Sequence, residues 1–437
     1  MVFQLRNNLL ATAIVMLTMG TAWAIRGSFG HEYGAAWAGA VGVLSLLVVS
    51  GREDWLRNWP AITAMGAIGW GMTGMISYGQ VVGYGKSTDF LNVSYGLLSL
   101  FLIGGLFGFL GGGLTGVMLE RSRTRKPDWA ALVTQMVAGG YILWGYLIYQ
   151  LEWYMTPPRS ELWAACLGAA LALGWFMKRH NLKNAWYLAL STMLGAGFGF
   201  AFGNFVQVLG NTTGIAFNWW NVMEYAIGFF GGLGMAYGLF HRSWPTMALL
   251  SKKTHYWAGA FVFLLVPLVT ITSSFSYDKI SGLGEQLSIA NPMQFYVDQW
   301  LMVTGISLAA VGTIAVQFRT LRAGTDIRKK VLMAFFTTWI WYKLLQLILA
   351  GTLYEYHFSS DDFAILNIVT VAVGWTFLKG NVPVHHAVGN RTFNAKLIRI
   401  SVGIVLLLLA LSGIAMNIHG ELPGEQQRFD VKTETVK

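Results

Sequence analysis

Apolar runs of roughly 17–25 residues recur along the chain, and short polar stretches between them carry almost all of the charge. A helix rises about 1.5 Å per residue, so a run of about 20 residues crosses about 30 Å of hydrocarbon. The pattern predicts thirteen spans, near 9–25, 33–50, 60–78, 93–119, 129–151, 160–177, 185–206, 219–240, 257–275, 297–317, 331–353, 363–378 and 397–416. The connections between them are too short to hide a soluble catalytic domain. The expected fold is therefore all-α, a polytopic integral membrane protein.

Composition supports lipid as the solvent. Apolar residues make up 55% of the chain and charged residues 11%, with a mean hydropathy of +0.51. A soluble domain carries about 25% charged residues, so this chain lacks the polar surface to cover itself. The formal charge of +10 is unevenly placed. Alternate connections, together with Arg6, hold 21 of the 30 Lys and Arg residues, and the opposite set with the C-terminal tail holds 7. Basic residues stay on the cytoplasmic side of a membrane protein, which predicts a cytoplasmic N-terminus and an external C-terminus. The basic connections lack the interleaved aromatics that a single-strand groove needs, so nucleic acid is not an expected partner.

The N-terminus has two readings. Residues 1–24 carry a basic residue, an apolar core and Ala22-Trp23-Ala24, a pattern like a signal-peptidase site. The core of about 17 residues is long for a signal segment, and the glycine pattern runs on past the cut. Retention as the first span is the expectation.

Glycine divides the chain: 38 of 52 lie in residues 1–240. Gly104/Gly108/Gly112/Gly116, Gly195/Gly199/Gly203 and Gly228/Gly232 recur at helical spacing, where small residues let backbones touch and replace the hydrophobic driving force that lipid cannot supply. The segments 66–85 and 195–211 resemble one another, as do the helices returning from them. The opening 19–34 reads as a shortened copy and 136–150 as a degraded one. These are expected to be parallel hairpin repeats. Four hairpins would make a glycine-rich membrane domain over 1–240. A basic connection (241–256), a five-helix membrane domain (257–416) and a polar tail (417–437) would follow.

Several chemistries drop out. With Cys166 the single cysteine, no disulfide, thiolate zinc site or iron–sulfur cluster forms within one chain. Histidines avoid span interiors, so haem is not expected. The run "GGGLTG" lacks the Lys-Ser/Thr of a phosphate-binding loop, and metal-ligand spacings of the His-x-x-x-His or Glu-x-x-His kind are missing. No cofactor is implied.

What remains are polar groups at hydrocarbon depth, where charge is costly and turns towards a cavity or a partner. Lys343 lies near the middle of its span, about 15–18 Å from either end, beyond the reach of snorkelling. Glu224 sits about a turn and a half inside a glycine-rich helix, as a candidate partner of Lys343 or a proton carrier. Asn204 and Gln207 approach the same hairpin turn, with Asn211, Asn218 and Asn221 around it, where amides bind solutes or cap helices. Asp298 and Gln299 are expected to open the tenth helix, where an acidic side chain complements the dipole.

Arg26, His31 and Glu32 fall within seven positions between two apolar runs, beside Gly27, Gly30 and Gly34. The matching turns carry Tyr78/Gln80 and Asn204/Gln207, so related hairpins would bring them to one vestibule. There Arg26 would attract an anionic group, while His31 and Glu32 would exchange protons near neutral pH. A surface Arg–Glu pair is the plain alternative. His385 and His386 point apart on a helix and read as a solvated loop.

The leading expectation is a secondary transporter of a small polar or anionic organic solute in the bacterial cytoplasmic membrane, with proton coupling. Two others stand beside it: an intramembrane acyl- or glycosyl-type transferase with His31 as base and Arg26 as anion ligand, and a non-catalytic subunit of an envelope complex. The expected partners are the bilayer and the solute, and a homo-oligomer is compatible with both.

Overall fold

A computed structural model describes residues 2–30, 32–157, 160–319, 326–355, 360–378 and 390–429, without the side chains of 2–5, 32, 319, 360–361 and 390–394. The described residues form helices and connections only. In chain order the helices are α1 (Val2–Arg26), α2 (Glu32–Ser50), α3 (Glu53–Leu56), α4 (Trp59–Gly74), α5 (Gly79–Tyr84), α6 (Phe90–Leu119), α7 (Trp129–Trp144), α8 (Leu162–Arg179) and α9 (Lys183–Thr212). There follow α10 (Trp219–Phe240), α11 (Lys252–Ala260), α12 (Val266–Ser274), α13 (Tyr277–Gln286), α14 (Pro292–Arg319), α15 (Ile327–Leu349), α16 (Ser360–Phe377) and α17 (Asn390–Ala415). Wide π-type turns extend α7 through Gln150 and join α11 to α12.

Helices lie over every apolar run, and nine among the described residues are long and apolar enough to cross a membrane. The rods α4, α8, α10 and α16 are shorter or less apolar than those nine. Their starts follow local chemistry. Asp89 accepts from the Asn92 amide at α6, Asp128 from Ala131 at α7, and Asn218 from Asn221 at α10. Each satisfies one of the orphan donors that a helix N-terminus exposes.

Six helices close into a ring, in the spatial order α1, α2, α4, α6, α9, α10 and back to α1. Glycine makes the closest seams. Along α6, a Cβ on Gly104, Gly108, Gly112 or Gly116 would run into Ala196, Thr192, Leu188 or Ala185 of α9. Gly195, Gly199 and Gly203 meet the α10 backbone in the same way, and Gly228 and Gly232 meet that of α1 at Met19 and Val15. Where carbonyls sit within reach of a neighbour's Cα, dispersion and weak Cα–H···O contacts do the work that hydrophobic burial does in water.

Aromatic rings fill the interior. Trp23 of α1 stands edge-on to Trp70 of α4 at 5.1 Å and tilted on Phe107 of α6 at 5.3 Å. Phe200 of α9 stacks on Phe107 and meets Tyr78 edge-on at 4.9 Å. Trp70 reaches across to Gly231 of α10 and lies against Gly39 of α2 and Gly111 of α6. Such pairs add about 0.5–1.5 kcal/mol each beyond their buried area.

The remaining elements surround this ring. α7 and α8 pack mainly on each other through Gly139, Gly140 and Gly168, outside the ring. α12 and α15 lie against α2, α16 against α1, and α17 against α6 and α9, so the later helices are distributed around the first set. At the basic end, Glu120 past the end of α6 accepts from the Ala185 amide of α9 at 3.0 Å. Burial holds this carboxyl above the usual carboxylate range, partly offset by that amide and by Arg125. At the opposite end, residues 417–429 dock over the start of α6. Asn92 Oδ1 accepts from the Arg428 and Phe429 amides, and Gln426 donates its amide to Gly83.

Two departures from the sequence pattern bear on the site. The helix expected over 60–78 stops at Gly74, because Gly71, Gly74 and Gly79 give it little to hold. That break frees Tyr78 from helical geometry and buries it. The connection before α14 also holds α13, an amphipathic helix too polar to register as an apolar run.

Candidate functional site

α1 ends on Arg26, followed by a single 3-10 turn (Gly27–Phe29) and by Gly30 at φ +82°. The guanidinium is 1% exposed at the C-terminal end of α1, where the helix dipole favours a cation. Its counter-charge comes from α10: Arg26 Nη1 donates to Glu224 Oε1 at 3.0 Å, and Glu224 is 2% exposed. Tyr78 bridges the two. Its hydroxyl accepts from Nη1 and Nη2 of Arg26 at 2.8 and 2.7 Å and donates to Glu224 Oε1 at 2.9 Å. Trp220, one helical turn before Glu224, donates its indole N–H to the same oxygen at 3.1 Å.

One carboxylate oxygen thus accepts three hydrogen bonds, while Oε2 has no hydrogen-bond partner among the described residues. It faces Gly27, where a Cβ would fall on it. Gly34 plays the matching role across the turn, since a Cβ there would lie 2.9 Å from Arg26 Cγ. The glycines of the opening motif therefore make room for the charge pair.

An aromatic cluster holds the turn down. The rings of Phe29, Trp37 and Tyr342 of α15 form a mutually contacting triangle, with Tyr342 5.0 Å from Phe29 and 4.6 Å from Trp37 and those two 6.4 Å apart, and the Tyr342 hydroxyl donates to the Gly34 carbonyl at 2.9 Å. Lys343 is buried beside it. Its ammonium donates to Gln346 Oε1 at 2.6 Å, and Gln346 donates to Ser28 Oγ at 3.3 Å. Gly27, Ser28 and Gly30 are themselves exposed, so the pair lies one residue layer beneath the surface.

The residues singled out from sequence separate into three groups. Arg26 and Glu224 come together, with Tyr78 from the matching turn, and Lys343 is linked to the same turn. The pairing differs from expectation: Glu224 is held by Arg26, because α10 packs on α1 whereas α15 lies outside the ring. The surface Arg–Glu alternative also gives way, since the pair is buried and its carboxylate is Glu224.

Asn204 and Gln207 bond each other at 3.2 Å and tie α9 to the Val82 carbonyl of α5, with Asn204 Oδ1 against Gly85. They position the segment after Tyr78. Asn218 caps α10, and Asn221 donates to the Ala24 carbonyl at 3.0 Å. Asp298 is exposed and bonded to Gln294 of its own helix. α14 begins at Pro292, five residues earlier than expected, so Asp298 lies past the first turn and opens no helix. His31, the Glu32 side chain and the loop of His385 and His386 lie outside the described residues.

Trp220, Tyr342, Gln346 and Ser28 were not legible as site residues. Trp220 had one usable signal: it stands four residues before Glu224 on the same helix face. The others are brought in by packing between distant segments. Among the described residues, no three His, Cys, Asp or Glu side chains gather as for a metal ion.

Comparison with protein-family models, with curated proteins and with solved structures finds no match.

Proposed function

We propose that the chain is a proton-coupled secondary transporter of a small organic anion, working in the bacterial cytoplasmic membrane with its N-terminus inside. Thirteen spans, arranged as related parallel hairpins plus later helices, complete this reading, and the 21-to-7 division of basic residues supports the orientation. The observation that carries it is the buried Arg26–Glu224 pair beneath an exposed glycine turn.

The chemistry follows from charge balance. With Glu224 ionised, Arg26 is neutralised from within the protein. A proton on Glu224 releases Arg26 to a substrate carboxylate or phosphate, and the net charge of the site is unchanged because a proton and an anion arrive together. Tyr78 can donate to the incoming anion as it does to Glu224. The indole N–H groups of Trp23 and Trp70, which have no partner among the described residues, offer further donors in the ring. Gly27 and Gly30 allow the turn to swing, and the Lys343–Gln346–Ser28 chain couples that swing to α15.

The test uses purified protein in vesicles with labelled acetate, lactate, succinate and glycerol phosphate, under an imposed inward proton gradient. Uptake of at least one anion is expected, falling at least about tenfold in Arg26→Gln, the loss of roughly one charge-assisted contact. Uptake by Arg26→Gln equal to that of the parent, or none of the four anions moved by the parent, would contradict the reading.

A further inference from the structure

A cavity of about 490 Å³ opens on the outside of the ring between α6, α8 and α9. Its walls are apolar, among them Phe101, Leu106, Leu167, Leu171 and Leu190, and the single charged group lining it is Lys178. Lys178 ends α8 beside Arg179, on the basic face, and its ammonium lies 4.7 Å from the centre of the Trp186 ring. Lys178 takes part in none of the ion pairs seen among the described residues, such as Arg26 with Glu224 or Arg125 with Glu120. Leu171 and Trp175 are 60% and 63% exposed, so the groove faces outward along its length.

We infer that this groove holds an acyl chain of an anionic phospholipid whose phosphate pairs with Lys178. Length and charge agree. From Lys178 back to Leu167 is eleven residues of α8, about 16 Å, close to half of a hydrocarbon core of about 30 Å. The groove therefore runs from headgroup level to mid-membrane, the depth of one leaflet. Trp175 and Trp186 stand near the charged end, where amphipathic rings favour the interface. A basic site between helices on the positive face is where anionic headgroups bind.

Native mass spectrometry of the protein taken from vesicles of equal phosphatidylglycerol and phosphatidylcholine reads the outcome. Retained lipid should be predominantly phosphatidylglycerol. Lys178→Glu should cut it about fivefold, the worth of one basic residue near the surface, while Lys178→Arg and the distant exposed Lys253→Glu leave it unchanged. Lys178 is exposed, so these variants leave the fold intact. Phosphatidylglycerol with six-carbon chains should compete poorly, because the groove reads the chain as well as the phosphate. Equal retention of both lipids, no effect of Lys178→Glu, or full competition by the short-chain lipid would each overturn the assignment.

Discussion

Glu224→Leu is expected to lower unfolding stability by about 3–5 kcal/mol, because it leaves the Arg26 guanidinium buried without its carboxylate. Arg26→Leu should cost a similar amount by stranding Glu224, whose Oε1 would keep only Tyr78 and Trp220 as donors. The double variant Arg26→Leu/Glu224→Leu should recover most of the loss. Replacing a whole buried ion pair by apolar groups of similar volume is often neutral or stabilising, whereas removing one half is not. Thermal or denaturant unfolding in detergent gives the three values and their coupling energy. Singles that each cost under about 1 kcal/mol would mean that the pair is solvated. The double variant also separates structure from function: it should fold and yet transport nothing.

The second large effect concerns the seam between α6 and α9. A Cβ at Gly108 would overlap the Thr192 carbonyl, and backbone cannot swing aside as a side chain does. Gly108→Ala must therefore push the helices apart, at an expected cost of about 1–3 kcal/mol from overpacking. Gly305 of α14 is the opposite case, with no atom within 4 Å of its would-be Cβ. There Gly305→Ala should stabilise by about 0.5–1 kcal/mol through helix propensity alone. Opposite signs in the same unfolding assay would show that the α6 glycines are held by contact. Equal small effects would remove that account of the ring.

The helices were legible because lipid imposes a length and an apolar composition on each rod, and both are local properties of the chain. The glycine seams were legible for a similar reason, since spacing by four residues places Gly104 through Gly116 on one face. Ring closure was not. α1 meets α10 about 200 residues later, and no local pattern distinguishes that neighbour from another glycine-rich helix. The site follows the same division. Arg26, Glu224 and Lys343 stand out as charges in hydrocarbon, but which charge meets which depends on ring order, and Glu224 pairs with Arg26. Tyr78 looked like the end of a span until the break after Gly74 put it between Arg26 and Glu224.

Asn204 and Gln207 left two readings open, solute ligands or groups serving the backbone, as short polar side chains near a helix end mostly do. Here they hold α5 in place through Val82 and Gly85. Their contribution to the site is to fix where Tyr78 stands.

Exchange of one negative charge for another beside Arg26, with the proton parked on Glu224, is the claim on which the transport reading turns. An entrapped pH dye in vesicles carrying the Glu224→Gln variant addresses it. The parent should acidify the lumen as lactate enters, one proton per anion. The variant, whose amide can carry no titrating proton, should still exchange labelled anion for unlabelled anion with no change in dye signal. Acidification by Glu224→Gln at the parental rate would contradict the account.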